Sequence, residues 1–333
     1  MYMVQSSTDF KAVILAGGSG ERFWPLSTPE RPKQFLKVFG GESLIRQAVS
    51  RLEGLVSPEN VYVVTARSLV NATKRELSEI PAANIVGEPM RRDTGAAIAL
   101  AVGLCGEGTM GVFSSDQLVG DVKGFQSVVK KAVAVANKEP KIVTIGIKPT
   151  EPSTAFGYVN PKCGRFVEKP GLQKAKGYLK RGFLWNAGMF IGRIDVFKEA
   201  FAAYAPDLVK LCGGGIRRTC QLRKAYEPLP RISFDFAVME RLSDAGGVAV
   251  VPGDFGWDDV GGYAAFDRYY PHDDAGNVAD GDCALVESSG NICVSKGPKI
   301  RVLGISDLVV VATKDSVLVV PKSRAGELKK IKA

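Results

Sequence analysis

Histidine is almost missing from this chain: the 333 residues contain one, His272. Chemistry built on a histidine nucleophile or a His-rich metal site is therefore disfavoured, and His272 reads as a loop residue. The six cysteines (105, 163, 212, 220, 283, 293) form no C-x-x-C pair and no dense framework. They read as reduced, mostly buried side chains of a cytoplasmic protein. No apolar run approaches the ~20 residues of a membrane span. The N-terminal MYMVQSSTDFK lacks a basic region followed by an apolar one, so no signal peptide is expected. No glycine is followed by the Lys-Ser or Lys-Thr that a Walker loop requires.

The charge also lacks clustering. Lys plus Arg number 44 against 35 Asp plus Glu, a net +9, but the excess is spread along the chain. Only Arg217, Arg218, Arg223, Lys224 and the terminal KKIKA are locally dense, and these read as solvated faces. A nucleic-acid protein concentrates its charge on one face or tail, so no nucleic-acid partner is expected. A modest cationic excess suits small phosphorylated substrates. With 45% hydrophobic and 24% charged residues the composition is that of an ordinary soluble globular protein, long enough for one large or two smaller domains.

What the chain does have is alternation. Val- and Ile-rich runs at Ala12–Leu15, Val61–Thr65, Asn84–Val86, Met110–Phe113 and Ile142–Ile145 read as strands. Between them lie 3.6-residue stripes: one behind Ser43, one opened by Asp93 or Thr94, and one behind Asp121 or Gly124. This predicts an α/β fold, a Rossmann-like, mostly parallel sheet with helices on both faces. From about residue 150 the rhythm loosens. Short strands at Phe156–Val159, Arg165–Val167 and Met189–Ile191, with helices near 173–181, 194–203 and 233–244, read as an insertion walling one side of a cleft. After Pro271, short β runs split by Gly, Asp, Asn and Ser suggest a small β-helix-like domain that packs on the first or pairs with a second subunit. Arg324–Ile331 is expected to form a short helix. The expected organisation is 1–271, with halves of about 10–150 and 151–271, followed by 272–333.

The stretch AVILAGGSGERFWPLSTPERPKQFLK, residues 12–37, carries the first chemical signal. An apolar run enters a turn with Gly17, Gly18 and Gly20, and the cations Arg22 and Lys33 follow. A backbone stripped of side chains can bring several N–H groups to a phosphate chain, and two cations can neutralise the remainder. A dinucleotide fingerprint is met at Gly18 and Gly20 but fails at Phe23, where the third glycine belongs, which disfavours a nicotinamide dehydrogenase. Alone, such a loop is equally well a plain strand-to-helix turn.

Further stretches, in order, are EPMRRDTGAAIALA, SSDQLV, FVEKP, WNAGMF, SFDFAVMER and GWDDVGGY. With LAGGSGERFWPLS and PKQF they resemble the sugar-nucleotide pyrophosphorylases, and most closely the mannose-1-phosphate guanylyltransferases. NVADGDCALV and DLVVVATKDSVLVV resemble that family's β-helical tail. The resemblance implies transfer of GMP from GTP to mannose 1-phosphate, releasing pyrophosphate, with Mg2+ as cofactor. It implies Asp116 and Asp259 as metal ligands, with Asp258 the adjacent alternative, and Arg22, Lys33 and Lys169 as catalytic cations. It further implies Ala16, Gly17, Gly18, Gly20 and Ser115 at the nucleotide, and Gly157, Glu168, Asn186 and Asp235 at the sugar. Guanine presents N–H donors that a carboxylate can read, and Glu88 is the candidate, with Arg91 or Arg92 nearer the phosphates. Trp185 and Phe190 read as core or pocket wall. Two positions depart from the family: Gln117 stands where His is usual, and Asp93 where Asn is common. The alternatives are another sugar 1-phosphate (heptose or glucose) with another NTP, or a catalytically silent GDP-mannose sensor. The chain stops without an isomerase-type extension, so no second activity is expected. A homodimer through the C-terminal domain is a further expectation.

Overall fold

The computed structural model describes residues 9–18, 20–215 and 219–331. The N-terminal MYMVQSST, Arg217 and Arg218 of the basic run, and Lys332 and Ala333 of KKIKA lie outside the described residues. The chain divides into two compact units that do not follow sequence order. One comprises Met1–Gly17 with Arg46–Asp258, and the other Gly18–Ile45 with Asp259–Ala333.

The first unit is built on a nine-stranded sheet. Its strands are β1 (Phe10–Ala16), β2 (Val61–Ala66), β3 (Ile85–Glu88) and β4 (Thr109–Ser114). After the short β5 (Leu118–Val119) come β6 (Ile142–Ile147), β7 (Tyr158–Val159), β8 (Phe166–Val167), β9 (Leu184–Arg193) and β10 (Val248–Gly253). The main order is β10-β6-β9-β4-β1-β2-β3. β1 pairs in parallel with β2 and β4, β2 with β3, and β10 with β6. All five runs read as strands in the first half are strands of this sheet. The structure corrects the reading of the segment after 150 as an added wall. β9 lies inside the sheet, antiparallel to β4 and β6 (Val112 opposite Phe190, Val143 opposite Ile191), and β10 extends it. WNAGMFIGR is apolar on both faces because both faces are covered, which removes the period-two alternation that marks a strand.

Helices cover the two faces. Asp93–Cys105 is buried almost all round, as its run of Ala, Ile, Leu and Val dictates, and joins a core with Val13, Met110, Val112 and Phe190. Val122–Lys138 is amphipathic, buries Phe125, Val128, Val129, Ala132 and Ala136, and is capped by Asp121, which accepts from the Gly124 N–H at 2.9 Å. Phe125 packs on Phe113, whose neighbour Val112 faces the other helix. Adjacent residues of one strand thus serve opposite layers.

In the second unit, β11 (Val278–Asp280), β12 (Cys283–Val286), β13 (Ile292–Lys296), β14 (Ile300–Leu303) and β15 (Leu308–Thr313) form coils. β11-β13-β15 stack in parallel on one side and β12-β14 on the other. The final strand β16 (Val317–Pro321) turns back antiparallel on β15. Between turns, buried Asn291 donates to Asn277 Oδ1 (3.0 Å) and to the Ile305 carbonyl (2.8 Å), so polar loops stack without orphaned groups. The tail is a 3₁₀ helix, Lys322–Lys330, rather than an α-helix. The segment 18–45 joins this unit through Phe39, whose ring lies 5.3 Å from Phe266 and 6.0 Å from Tyr270, and through the Tyr270 hydroxyl, which donates to the Val38 carbonyl.

Candidate functional site

β1 ends at buried Ala16, whose carbonyl accepts from the Thr65 hydroxyl at 2.9 Å. A side chain placed on the next residue, Gly17, would meet Glu88 Oε2 at 3.8 Å. The candidate base reader therefore stands beside the start of the glycine turn, at the C-terminal end of β3. Burial raises the Glu88 carboxyl to about 7; a hydrogen bond from the Tyr226 hydroxyl (3.1 Å) opposes this and the charge of Asp93 adds to it. Tyr226 carries no local motif, so sequence reasoning missed it. Arg92, read with Arg91 as alternative phosphate neighbours, donates to the carbonyls of Tyr226 (3.0 Å) and Glu227 (2.7 Å) and so anchors that tyrosine.

The turn after β4 carries Ser115, Asp116 and Gln117. Buried Ser115 donates its N–H to the Leu15 carbonyl at 3.1 Å, and the Ser114 hydroxyl donates to Asp116 Oδ1 at 2.5 Å. Beneath lies Arg51, another residue the sequence reading missed. Its guanidinium donates to the carbonyls of Ser114 (2.8 Å) and Gln117 (3.1 Å), one on each side of Asp116, and lies 5.2 Å from the Phe125 ring. Burial lowers its pKa to about 10, against the pull of Asp116. The Gln117 side chain donates from Nε2 to the Ala187 carbonyl at 2.9 Å, while its side-chain oxygen Oε1 is buried without a partner.

The residues expected at the sugar come together. Asn186, on β9 opposite a bulge in β6, donates to Asp235 Oδ1 (2.9 Å) and accepts from the Thr144 hydroxyl (2.8 Å) and the Gly188 N–H (3.1 Å). Its own N–H donates to the Gly157 carbonyl at 2.8 Å. The bare Cα of Gly157 faces Glu168: a methyl there would lie 2.5 Å from Glu168 Oε2. That oxygen is buried with no hydrogen-bond partner, whereas Oε1 accepts from Lys169 at 2.5 Å. Asp235 opens a π-helical turn, Asp235–Met239, a local form frequent at functional sites. Burial raises the Asp235 carboxyl to about 7, with the nearby Glu168 charge as the next cause. The Lys169 pKa is raised: burial works against the charge, but Glu168, then Asp235 and Asp93, outweigh it. Asp93 holds φ +65° and accepts from the Thr94 N–H at 2.8 Å. Where the family often has a neutral Asn, this chain thus adds a charge felt by both Glu88 and Lys169. Trp185 and Phe190 are buried in aromatic clusters, as read.

In the second unit the chain continues from Gly18 to Gly20 at φ +66°. A Cβ on Gly20 would lie 2.5 Å from Lys33 Cβ and 2.6 Å from Lys33 N, so only glycine lets the turn lie against that lysine. Buried Lys33 donates to the Asp259 carbonyl at 2.7 Å. A Cβ on Gly261 would lie 3.0 Å from Arg22 Nη1 and 3.5 Å from Asp259 Oδ2, which places Arg22 and Asp259 around one bare backbone position. Phe23 is buried against Tyr263 (5.5 Å), whose hydroxyl donates to the Phe23 carbonyl at 2.9 Å. Arg22, Lys33, Gly20 and Asp259 therefore form one cluster within this unit. Among the described residues, no group of three or more His, Cys, Asp or Glu side chains gathers to hold a metal. Nor is any helix long and apolar enough to cross a membrane.

Comparison with known proteins gives two family matches. The Nucleotidyl transferase family matches residues 11–273, and the MannoseP isomerase/GMP-like beta-helix domain matches residues 281–332. A mannose-1-phosphate guanylyltransferase from Klebsiella pneumoniae is 34% identical over 96% of this chain and 72% of its own length. One from Escherichia coli has the same identity and coverage. A solved structure described as a mannose-1-phosphate geranyltransferase from Thermus thermophilus superposes with TM-score 0.86 at 33% identity, covering 97% of this chain and 98% of the other.

Proposed function

The chain belongs to the nucleotidyl transferase family, carrying in addition a MannoseP isomerase/GMP-like beta-helix domain, and from that premise we propose that it transfers GMP from GTP to mannose 1-phosphate. A phosphate oxygen of the sugar phosphate attacks the α-phosphorus of GTP in line. The new O–P bond forms as the α–β bridging bond breaks, and pyrophosphate leaves with the electron pair. Both reactants are anions, so the protein must align them and offset their charge.

Gly17, Gly18 and Gly20 supply the bare backbone for the triphosphate, and Arg22 and Lys33 its counter-charge. Glu88, flanking Gly17, accepts from the guanine N–H donors. Lys169 offsets the sugar phosphate, and Glu168, Asn186 and Asp235 take the sugar hydroxyls. The observation that carries this reading is Glu168 Oε2: a buried carboxylate oxygen without a donor, beside Asn186 and Asp235, suits an incoming hydroxyl. Asp116 and Asp259 suit Mg2+ by donor chemistry, since this hard cation takes one or two carboxylates and completes its shell with phosphate oxygens and water. The hydroxyl of Ser114 orients Asp116, and Lys33 fixes the backbone of Asp259. When bound, the cation neutralises charge on the phosphate oxygens.

The test is pyrophosphate release from each of four NTPs against mannose, glucose and heptose 1-phosphates, with and without Mg2+. Highest turnover is expected for GTP with mannose 1-phosphate plus Mg2+. Silence across every pairing would replace the enzyme with a sensor of the nucleotide sugar.

The same reading includes a homodimer through the C-terminal coils. Its support is the exposure of Val286, Leu303, Val317 and Val319, each 55–67% accessible, on strands of one small β-structure. Leu303→Glu is expected to halve the mass seen by analytical ultracentrifugation; a wild-type chain that sediments as a monomer would refute the dimer.

A further inference from the structure

Within the second unit a crevice of about 410 Å³ separates the segment after the glycine turn from the β-helical coils. This lies in the range of small-ligand pockets. Four cations line it, Arg31, Lys37, Lys296 and Lys314, against one carboxylate, Asp315. Lys296 is paired with Asp280 at 2.8 Å, but Arg31, Lys37 and Lys314 have no ion-pair partner among the described residues. Like charges around one concavity repel one another and raise the local concentration of anions. The walls are preformed. The turn 313–316 is closed by the Thr313 N–H on the Ser316 carbonyl (2.9 Å) and the Ser316 N–H on the Thr313 hydroxyl (3.2 Å). Half-buried Trp24, whose carbonyl accepts from the Tyr263 hydroxyl at 3.1 Å, also belongs to the lining.

We propose that this crevice is a second anion site, distinct from the residues assigned to turnover, which takes a small phosphorylated ring compound, a sugar phosphate or a nucleoside diphosphate. The phosphate meets the unpaired cations and the ring lies on Trp24. The segment that forms one wall also carries Lys33, so a bound ligand ties the phosphate-loop segment to the coils and alters turnover. This goes beyond the reaction proposed above and does not depend on which sugar or base that reaction uses.

Labelling with 5-fluorotryptophan gives three fluorine resonances, for Trp24, Trp185 and Trp257, assignable by Trp→Phe variants. The full chain is titrated with inorganic phosphate, with a hexose 6-phosphate and with GDP. The Trp24 resonance is expected to shift saturably with the sugar phosphate or with GDP, and more weakly with phosphate. In the Lys37→Ala/Lys314→Ala double variant the midpoint should move by about tenfold or more, the scale of one charge-assisted hydrogen bond. Basal KM for the substrates should stay unchanged. A Trp24 resonance that never moves, one that moves equally in the double variant, or one with no preference for a ring over phosphate would each overturn the proposal.

Discussion

In the first unit, Glu88 and Asp235 lie where burial works against their charge, whereas in the second unit Lys33 is seated on the backbone carbonyl of Asp259. Glu88 and Asp235 are both raised to about 7, and Glu168 keeps an unpartnered oxygen. The glycine turn, by contrast, has its lysine seated on a carbonyl and its Cα pressed against that lysine. A region holding carboxylates in suspense is suited to choosing a ligand, because an incoming donor settles the charge. A region fixed through backbone is suited to holding a polyanion the same way each time. Substitutions should therefore break the two regions differently: geometry fails in the second, selectivity and pH response in the first.

The largest effect is expected at the two aspartates proposed for the metal. Asp116→Asn and Asp259→Asn should each lower kcat by roughly 10³-fold, the several kcal/mol that a metal's charge supplies. Calorimetry should still detect bound nucleotide, and a variant that keeps its turnover would remove that aspartate from the ligand set. Next comes Gly20→Ala. A side chain there both strains the backbone and meets Lys33, so a loss of about 2–3 kcal/mol of stability and roughly 100-fold in kcat/KM is expected. Gly41→Ala, also at positive φ but with nothing within 4 Å, serves as the control. It should cost only about 1–2 kcal/mol in denaturant unfolding and leave kcat/KM alone. Equal loss of activity in both would mean that the approach to Lys33 is immaterial.

In the first unit, Glu88→Gln should lower kcat/KM for GTP by about 10- to 30-fold, the scale of one charge-assisted hydrogen bond, and leave ATP and UTP nearly unaffected. An unchanged nucleotide preference would remove Glu88 as the base reader. The smallest effect is a slope. Both carboxyls have folded pKa values above their ordinary 4.5 and 3.8, so the folded chain binds more protons than the unfolded one between about pH 4 and pH 7. Their contribution to stability is present at low pH, is lost as pH rises through that window, and levels off above about 7. Melting temperatures across it should show this trend flattened in Glu88→Gln/Asp235→Asn; a slope identical in both chains would contradict the burial argument.

The sequence was most legible where local chemistry and fold agree. Strands β1–β4 and β6 and the helix capped by Asp121 follow from apolar runs and one N-cap, and the stacked coils from short β runs separated by turn residues. β9 was misplaced because a strand covered on both faces loses its alternation. The cluster of Gly157, Glu168, Asn186 and Asp235 was legible only through the family's motifs, since an isolated Glu-Lys pair reads as a surface ion pair. Arg51 and Tyr226 were not legible at all. An arginine at a helix end and a tyrosine at another look solvent-facing in one dimension, and only tertiary structure puts their donors under the Asp116 turn and beside Glu88. A long side chain whose charge is fully buried leaves no periodic trace.

The central claim is that guanylyl transfer occurs at the α-phosphorus of GTP. Mannose 1-phosphate carrying oxygen-18 in its phosphate, incubated with GTP and Mg2+, tests it by mass spectrometry of both products. The whole label is expected in the nucleotide sugar and none in pyrophosphate. Label in pyrophosphate, or no nucleotide sugar formed, would contradict it.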